Sequence, residues 1–331
     1  MRAMPKAKAV RIREPGGPEV LEIGDIDVAA PSPTQVLVEV AASGLNRADC
    51  LQRRGFYPAP PGVPPDVPGL EFVGVIEAVG DAVVGWKAGD RVMGIVAGGG
   101  MATRLVTEAA ELMPIPRGMS FADAAAIPEV FLTAYDAIVL QGGLESGGSV
   151  LLHAVASGVG TAAIQLASVV GATSIGTSRT AEKLERCTEL GLDHAILVED
   201  DAFAEKVKAV APRGVDVILD TVGAAYLDQN IKVIASKGRL VVIGLMGGTR
   251  ADLNLGLLLG KRASIHGSVL RSRAPEEKAE LTRRFTDEML PHFDTATLRP
   301  IVDKTLPMTS IQEAHTQMDT NQTFAKLVLT W

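Results

Sequence analysis

Two hydrophobic periods divide this chain. As far as about residue 128, apolar positions fall in short alternating runs at 7–12, 20–28, 35–40, 73–79 and 101–106, parted by P-G-G-P and P-S-P turns. A period of two predicts half-buried strands joined by irregular loops. From about residue 121 the register turns helical. Ser120 is placed to cap 121–126, and Pro128 to lead a helix through Phe131, Tyr135 and Ile138. The run S-V-L-L-H-A at 149–154 is apolar without alternation, the mark of a parallel strand buried on both faces. Val159, Ala163, Leu166, Ala167 and Val170 then repeat at helical spacing as far as Gly171, a candidate left-handed cap.

Beyond that helix, strands at 173–177, 194–198, 216–220 and 239–244 alternate with helices at 181–190, 202–210 and 226–235. Such alternation specifies an α/β domain, a parallel sheet covered by helices on both faces. Residues 263–269 are expected to add an edge strand, and 276–289 a charged amphipathic helix. The tail, 301–331, returns to short β pieces and one helix, and is expected to fold back onto the first domain.

Composition narrows the class. The chain has 331 residues, enough for two cores, with 47% hydrophobic and 21% charged residues and a formal charge of −7. An acidic balance with no long basic stretch argues against a nucleic-acid surface. No run reaches the ~18 apolar residues of a membrane span, and no signal-like segment precedes the first strand, so the chain reads as cytoplasmic. Two cysteines, Cys50 and Cys187, make neither a disulfide framework nor a four-cysteine zinc site. With no neighbouring histidine or cationic cluster in the sequence, they read as buried apolar residues.

The candidate chemistry begins at A-S-G-V-G, 156–160. A buried strand, a turn of small residues and a helix N-terminus form a phosphate cradle, with backbone N–H groups facing an anion. The spacing departs from G-x-G-x-x-G, so its context carries the reading. The next strand ends G-T-S-R-T-A-E-K, putting Ser178, Arg179, Thr180 and Lys183 beside the adenosine ribose. An acid there would bind the 2′-hydroxyl of NAD. Basic residues suit the 2′-phosphate of NADPH, which is the expected cofactor.

The assembled motifs resemble the quinone oxidoreductases of the medium-chain dehydrogenase/reductase superfamily, within them the branch of p53-inducible quinone oxidoreductases and their bacterial relatives. The matching pieces are G-L-N-R-A-D at 44–49, Y-P-A-P-P-G at 57–62, P-G-L-E at 68–71, G-D-R-V at 89–92 and A-A-A-I-P-E at 124–129. S-G-V-G-T-A-A-I-Q-L-A at 157–167, G-L-M-G-G at 244–248, L-R-S-R at 270–273 and L-P-H-F at 290–293 follow in the family's order. The resemblance implies a GroES-like β-rich catalytic domain, 1–128 with 292–331, and a Rossmann NADPH-binding domain, 129–291. It implies that Asn46 and Thr133 hold the nicotinamide end, and that Ser157, Gly158 and Val159 lie along the pyrophosphate. Gly244, Leu245, Met246, Gly247, Val269, Leu270 and Arg271 would line the nicotinamide half, with Asn321 a further contact and Tyr57 at the substrate mouth.

Zinc-dependent members of the superfamily carry a cysteine and a Gly-His-Glu motif as ligands. Asn46 stands at the first position and Leu70 at the histidine, with Glu71 kept, so no metal is expected. His153, at a strand end, reads as a satisfied core residue, and Arg47 with Asp49 as a structural ion pair. Asn46 has a second reading as a brace of its own loop.

With neither a metal nor a Ser-His pair, the chemistry falls to the cofactor: hydride transfer to a small quinone or enone, with Asn46, Tyr57, a cofactor hydroxyl or water meeting the charge that develops on oxygen. Quinone reductase, enoyl or alkenal double-bond reductase, and an NADPH-binding protein with little turnover remain separate readings. A homodimer is expected through the edge strand at 263–269.

Overall fold

A computed structural model describes residues 6–200 and 202–331. Two compact units emerge, one from the chain up to Leu132 together with Leu270 onward, the other from Thr133–Val269. In the first unit β1 (Lys6–Ile12) and β2 (Leu21–Asp27) make an antiparallel pair. β3 (Gln35–Leu45), β4 (Glu71–Val79), β5 (Arg91–Ile95), β6 (Arg104–Glu108) and β7 (Leu112–Pro114) belong to a larger sheet. Alternation along β3 decides which face each residue joins. Val36, Val38 and Val40 enter a core with Phe72, Ile76 and Val92, while Leu37 packs on the opposite side with Ala7 and Val28. The sequence pattern gave no sign of β5 or β7, which are too short to show a period.

The second unit holds β8 (Ser149–Leu152), β9 (Thr173–Ser178), β10 (His194–Leu197), β11 (Val215–Asp220), β12 (Ile234–Val242) and β13 (Ser264–Gly267). These strands pair in parallel throughout, in the order β10-β9-β8-β11-β12-β13. That is the doubly wound order, with its switch point beside β8. Leu151, Ile175, Ile218 and Leu240 fill the core from four neighbouring strands. β13 lies at the sheet edge, as its pattern predicts.

Three stretches differ from expectation. The helix begun at Pro128 is α-helical only to Ala134 and continues as a π-helix over Tyr135–Gln141, which keeps both Tyr135 and Ile138 fully buried. The helix expected at 226–235 ends at Val233, because Ile234 is already extended at the start of β12. Leu255–Lys261 is a short helix that the sequence pattern did not reveal, capped by the Asn254 side chain.

The chain rejoins the first unit at Leu270, earlier than residue 292. Helix Pro275–Glu288 packs on the Ala109–Glu111 turn, with Lys278 facing Glu111 at 3.4 Å. β14 (Val302–Pro307) and β15 (Lys326–Thr330) then complete the sheet as β14-β15-β3-β4-β5-β7, with β6 also on β3. Among the described residues no helix is long and apolar enough to cross a membrane.

Candidate active site

The second unit holds a turn and a helix N-terminus whose main chain suits an anion. β8 ends in a turn in which Ala154 takes φ 49°, and Ser157, in extended conformation, caps helix Gly158–Val170 by accepting from Gly160 N at 3.1 Å. No acidic side chain stands in the first helical turn. A Cβ on Gly160 would lie 2.3 Å from the Val155 carbonyl oxygen, so only glycine lets the helix close onto the turn. Gly171 ends the helix in the left-handed region, φ 82°. These features suit a pyrophosphate lying along Ser157, Gly158 and Val159.

At the end of β9, the Ser178 hydroxyl accepts from Thr180 N at 3.2 Å. Arg179 is exposed and Lys183 half-buried in helix Ala181–Glu189; the neighbouring Glu182 is exposed in its first turn. The strand itself ends without an acid. After β12 the backbone of Met246 and Gly247 is held by Thr221 and Val222 carbonyls at 3.3 and 2.7 Å, leaving the Leu245 and Met246 side chains exposed. Val269 is also exposed and Thr133 half-buried.

Beneath this cradle lies a buried relay. His153 shares hydrogen bonds with the Thr177 hydroxyl (2.8 Å) and the Asn230 amide oxygen (2.7 Å). Asn230 donates to Asp220, whose other oxygen receives Val222 N and Gly223 N. An amide oxygen only accepts, so His153 Nε2 carries a proton; burial lowers the ring's pKa and so favours the neutral form, in which Nδ1 accepts from the Thr177 hydroxyl. His153 is thus a satisfied core residue. Asn230 and Asp220 escaped the sequence reading because no local pattern connects them to it.

The first unit builds a different kind of site. Asn46 precedes helix Arg47–Arg53, and the buried Asp49 carboxylate accepts from Asn46 N (2.8 Å) and Gly69 N (2.9 Å). The Asn46 amide donates to Glu71 Oε1 at 2.8 Å, and its oxygen accepts from Lys326 Nζ at 2.8 Å. Lys326, at the start of β15, also bonds Glu71 Oε1 (2.5 Å) and the Leu45 carbonyl (3.2 Å). Glu71 Oε2 takes Glu129 N at 2.9 Å. Burial pushes the Asp49 carboxyl up to about 6, against the pull of its two N–H donors. Burial, reinforced by the charge of Glu71, pushes Glu129 to about 8. Lys326 was missed: in sequence it merely opens an apolar strand.

Tyr57 is half-buried under the Arg271 guanidinium, 4.8 Å from ring centroid to charge. Arg271 donates to the carbonyls of Ala97 (2.6 Å) and Tyr57 (3.0 Å) and to Gln52 Oε1 (2.7 Å). Its hydrogen bonds thus tie the Tyr57 loop to the unit's interior. Burial raises the Tyr57 hydroxyl pKa, with Arg271 opposing and Glu129 adding to the rise.

Asn321, at φ 56°, accepts from Arg47 at 2.5 Å, so Arg47 is committed there and the expected Arg47–Asp49 pair gives way. Cys50 is buried, as expected, yet it has the neighbours that its sequence surroundings lack: His315 Nδ1 lies 3.5 Å from its sulfur, and Arg53 is close by. Even so, burial pushes the thiol up to about 12.

The comparisons agree with this architecture. The alcohol dehydrogenase GroES-like domain model matches residues 32–117, and the zinc-binding dehydrogenase model residues 158–287. Human quinone oxidoreductase is 32% identical over 313 residues, covering 93% of this chain and 92% of its own. The chain belongs to the quinone oxidoreductase family of medium-chain dehydrogenases/reductases. The rat synaptic vesicle membrane protein VAT-1 homolog is 31% identical, covering 91% of this chain and 78% of its own. The CurK enoyl reductase structure superposes with a TM-score of 0.86 at 29% identity, covering 98% of this chain and 99% of its own.

Membership of this family brings a nicotinamide cofactor and an oxidoreductase role. Zinc is another matter. At the positions where zinc-dependent members have a cysteine and a histidine stand Asn46 and the buried Leu70, and Glu71 already faces an ammonium. No group of three or more His, Cys, Asp or Glu suited to a metal occurs among the described residues. The donor set does not fit the metal that the family model's description implies.

Proposed function

We propose that this protein is an NADPH-dependent quinone oxidoreductase that works without a metal. The observation that carries the reading is the reactive-end niche: its carboxylate and amide are already spent on Lys326, so an acceptor that needs no Lewis acid is favoured. Quinones are such acceptors. When bound, the reduced nicotinamide supplies the hydride.

The chain's own residues bind and orient. Ser157, Gly158 and Val159 take the pyrophosphate, and Ser178, Arg179 and Lys183 the 2′-phosphate. Thr133, Gly244, Leu245, Met246, Gly247, Val269 and Leu270 line the nicotinamide half, with Asn321 a further contact. Asn46 steadies the nicotinamide end, and Arg271 serves by holding Tyr57. Tyr57, raised in pKa and so protonated at neutral pH, is the candidate donor to the acceptor oxygen, a role worth about 10²–10⁴-fold. The domains follow the observed units, the protein is cytoplasmic, and β13, an edge strand with Ile265 exposed, supports a homodimer.

Reduction of an enone double bond is the second reading, favoured by the likeness to an enoyl reductase. The test is NADPH oxidation followed by absorbance with a panel of quinones and enones. Turnover of quinones above enones is expected. Tight NADPH binding with no acceptor turned over would leave a binding protein instead. Tyr57→Phe with full turnover would make solvent the proton source.

A further inference from the structure

The niche formed by Asn46 and Glu71 holds a cation that belongs to the protein. An ammonium has three N–H donors, and those of Lys326 find Leu45 O (3.2 Å), Asn46 Oδ1 (2.8 Å) and Glu71 Oε1 (2.5 Å). The Lys326 side chain is 3% exposed and that of Glu71 fully buried, so each charge depends on the other. Asn46 lies between them, its amide donating to the carboxylate and its oxygen accepting from the ammonium. Turned over, the amide would set NH₂ against NH₃⁺ and oxygen against carboxylate. The two charges therefore fix its orientation.

Glu71 is itself seated on bare main chain: a Cβ on Gly44 would lie 2.3 Å from Oε1. Three distant segments, around residues 46, 71 and 326, are thus locked through one nitrogen.

We propose that Lys326 is a fixed internal cation standing in for a metal in this niche, a positioning residue that supplies the counter-charge of Glu71 and sets the Asn46 amide. A catalytic zinc keeps an open coordination position for substrate, whereas this ammonium has no donor left to offer. Lys326 therefore acts through Asn46 and not on the acceptor. The inference rests on the proposed function only in its kinetic readout.

The experiment compares Lys326→Met with Lys326→Met/Glu71→Gln, in which the pair is replaced by neutral side chains. Lys326→Met is expected to lower Tm by about 10 °C, because it strands a buried carboxylate. The double variant is expected to regain most of that loss, and it carries the test if the single variant does not fold. With NADPH and menadione, its kcat is expected to fall about tenfold or more, because the Asn46 oxygen has lost its donor, while NADPH affinity stays within about threefold.

An unchanged Tm in the single variant overturns the counter-charge. So does a double variant no more stable than the single one. Wild-type kcat in the double variant overturns the positioning role. If the wild-type protein reduces neither quinones nor enones, the functional reading has failed, and the two melting temperatures still decide whether Lys326 is the fixed cation.

Discussion

The two units build their candidate sites by opposite means. In the second unit the candidate anion cradle is made of main chain: a turn, a serine cap and a glycine that lets a helix close in, above a relay from His153 through Asn230 to the Asp220 carboxylate. In the first unit the reactive end is made of charged side chains drawn from distant parts of the chain, with Lys326 and Glu71 255 positions apart. Backbone donors stay fixed while the fold holds, and water need not be excluded for them to work. Paired charges must be desolvated and matched, so each depends on a particular partner. A generic ligand fragment such as a phosphate suits the first solution, and a reacting ring the second.

Removing one member from each network tests the contrast most directly. Glu71→Ala strands an ammonium and is expected to cost about 3–5 kcal/mol in urea unfolding. Asn230→Ala removes a neutral partner and is expected to cost about 1–3 kcal/mol. Equal losses would mean that a missing counter-charge costs no more than a missing amide. Gly160→Ala, which forces a Cβ against the Val155 carbonyl, is expected to cost about 1–3 kcal/mol and to weaken NADPH binding by calorimetry. A fully stable variant with unchanged affinity would show that the cradle tolerates bulk.

Replacing Arg179 and Lys183 together by alanine should raise the KM for NADPH about tenfold, near 1.4 kcal/mol, and leave NADH nearly unaffected. An equal loss for both cofactors would remove these residues from the 2′-phosphate.

The last effect is on pH dependence. Glu129 titrates near 8 in the folded protein against an ordinary 4.5, so the folded state holds the proton more tightly than the unfolded one. Its stabilisation is fully present below about pH 4.5 and is lost as pH rises towards 8. Glu129→Gln keeps the neutral form, so its Tm is expected to gain on the wild type between about pH 5 and pH 8.5, by the equivalent of about 1 kcal/mol or more. A constant difference across that range would show that Glu129 does not titrate there.

The same contrast explains what could be read from the sequence. The second unit's strands, the small-residue turn at 156–160, the Gly171 terminator and the basic end of β9 are local patterns, each visible within a dozen residues. The first unit's sheet was half visible, since β3 and β4 alternate over long runs while β5 and β7 are too short to do so. Asn46 and Glu71 stood out through the family resemblance. Lys326 did not, because nothing in K-L-V-L tells that its first residue turns inward to an ion pair. The nearness of His315 to Cys50 was hidden for the same reason, as was Asn321 taking the Arg47 guanidinium that Asp49 was expected to bind.

The pairing of β15 with β3 sets an order in which the molecule can assemble. Every strand of the second unit finds its neighbours within one continuous stretch, whereas β15 must reach β3 across that whole stretch. Closing so long a loop carries an entropic cost that falls once the intervening chain has collapsed into a compact body. The nucleotide-binding half is therefore expected to mature first, and the ion pair at Glu71 to form among the last contacts of folding.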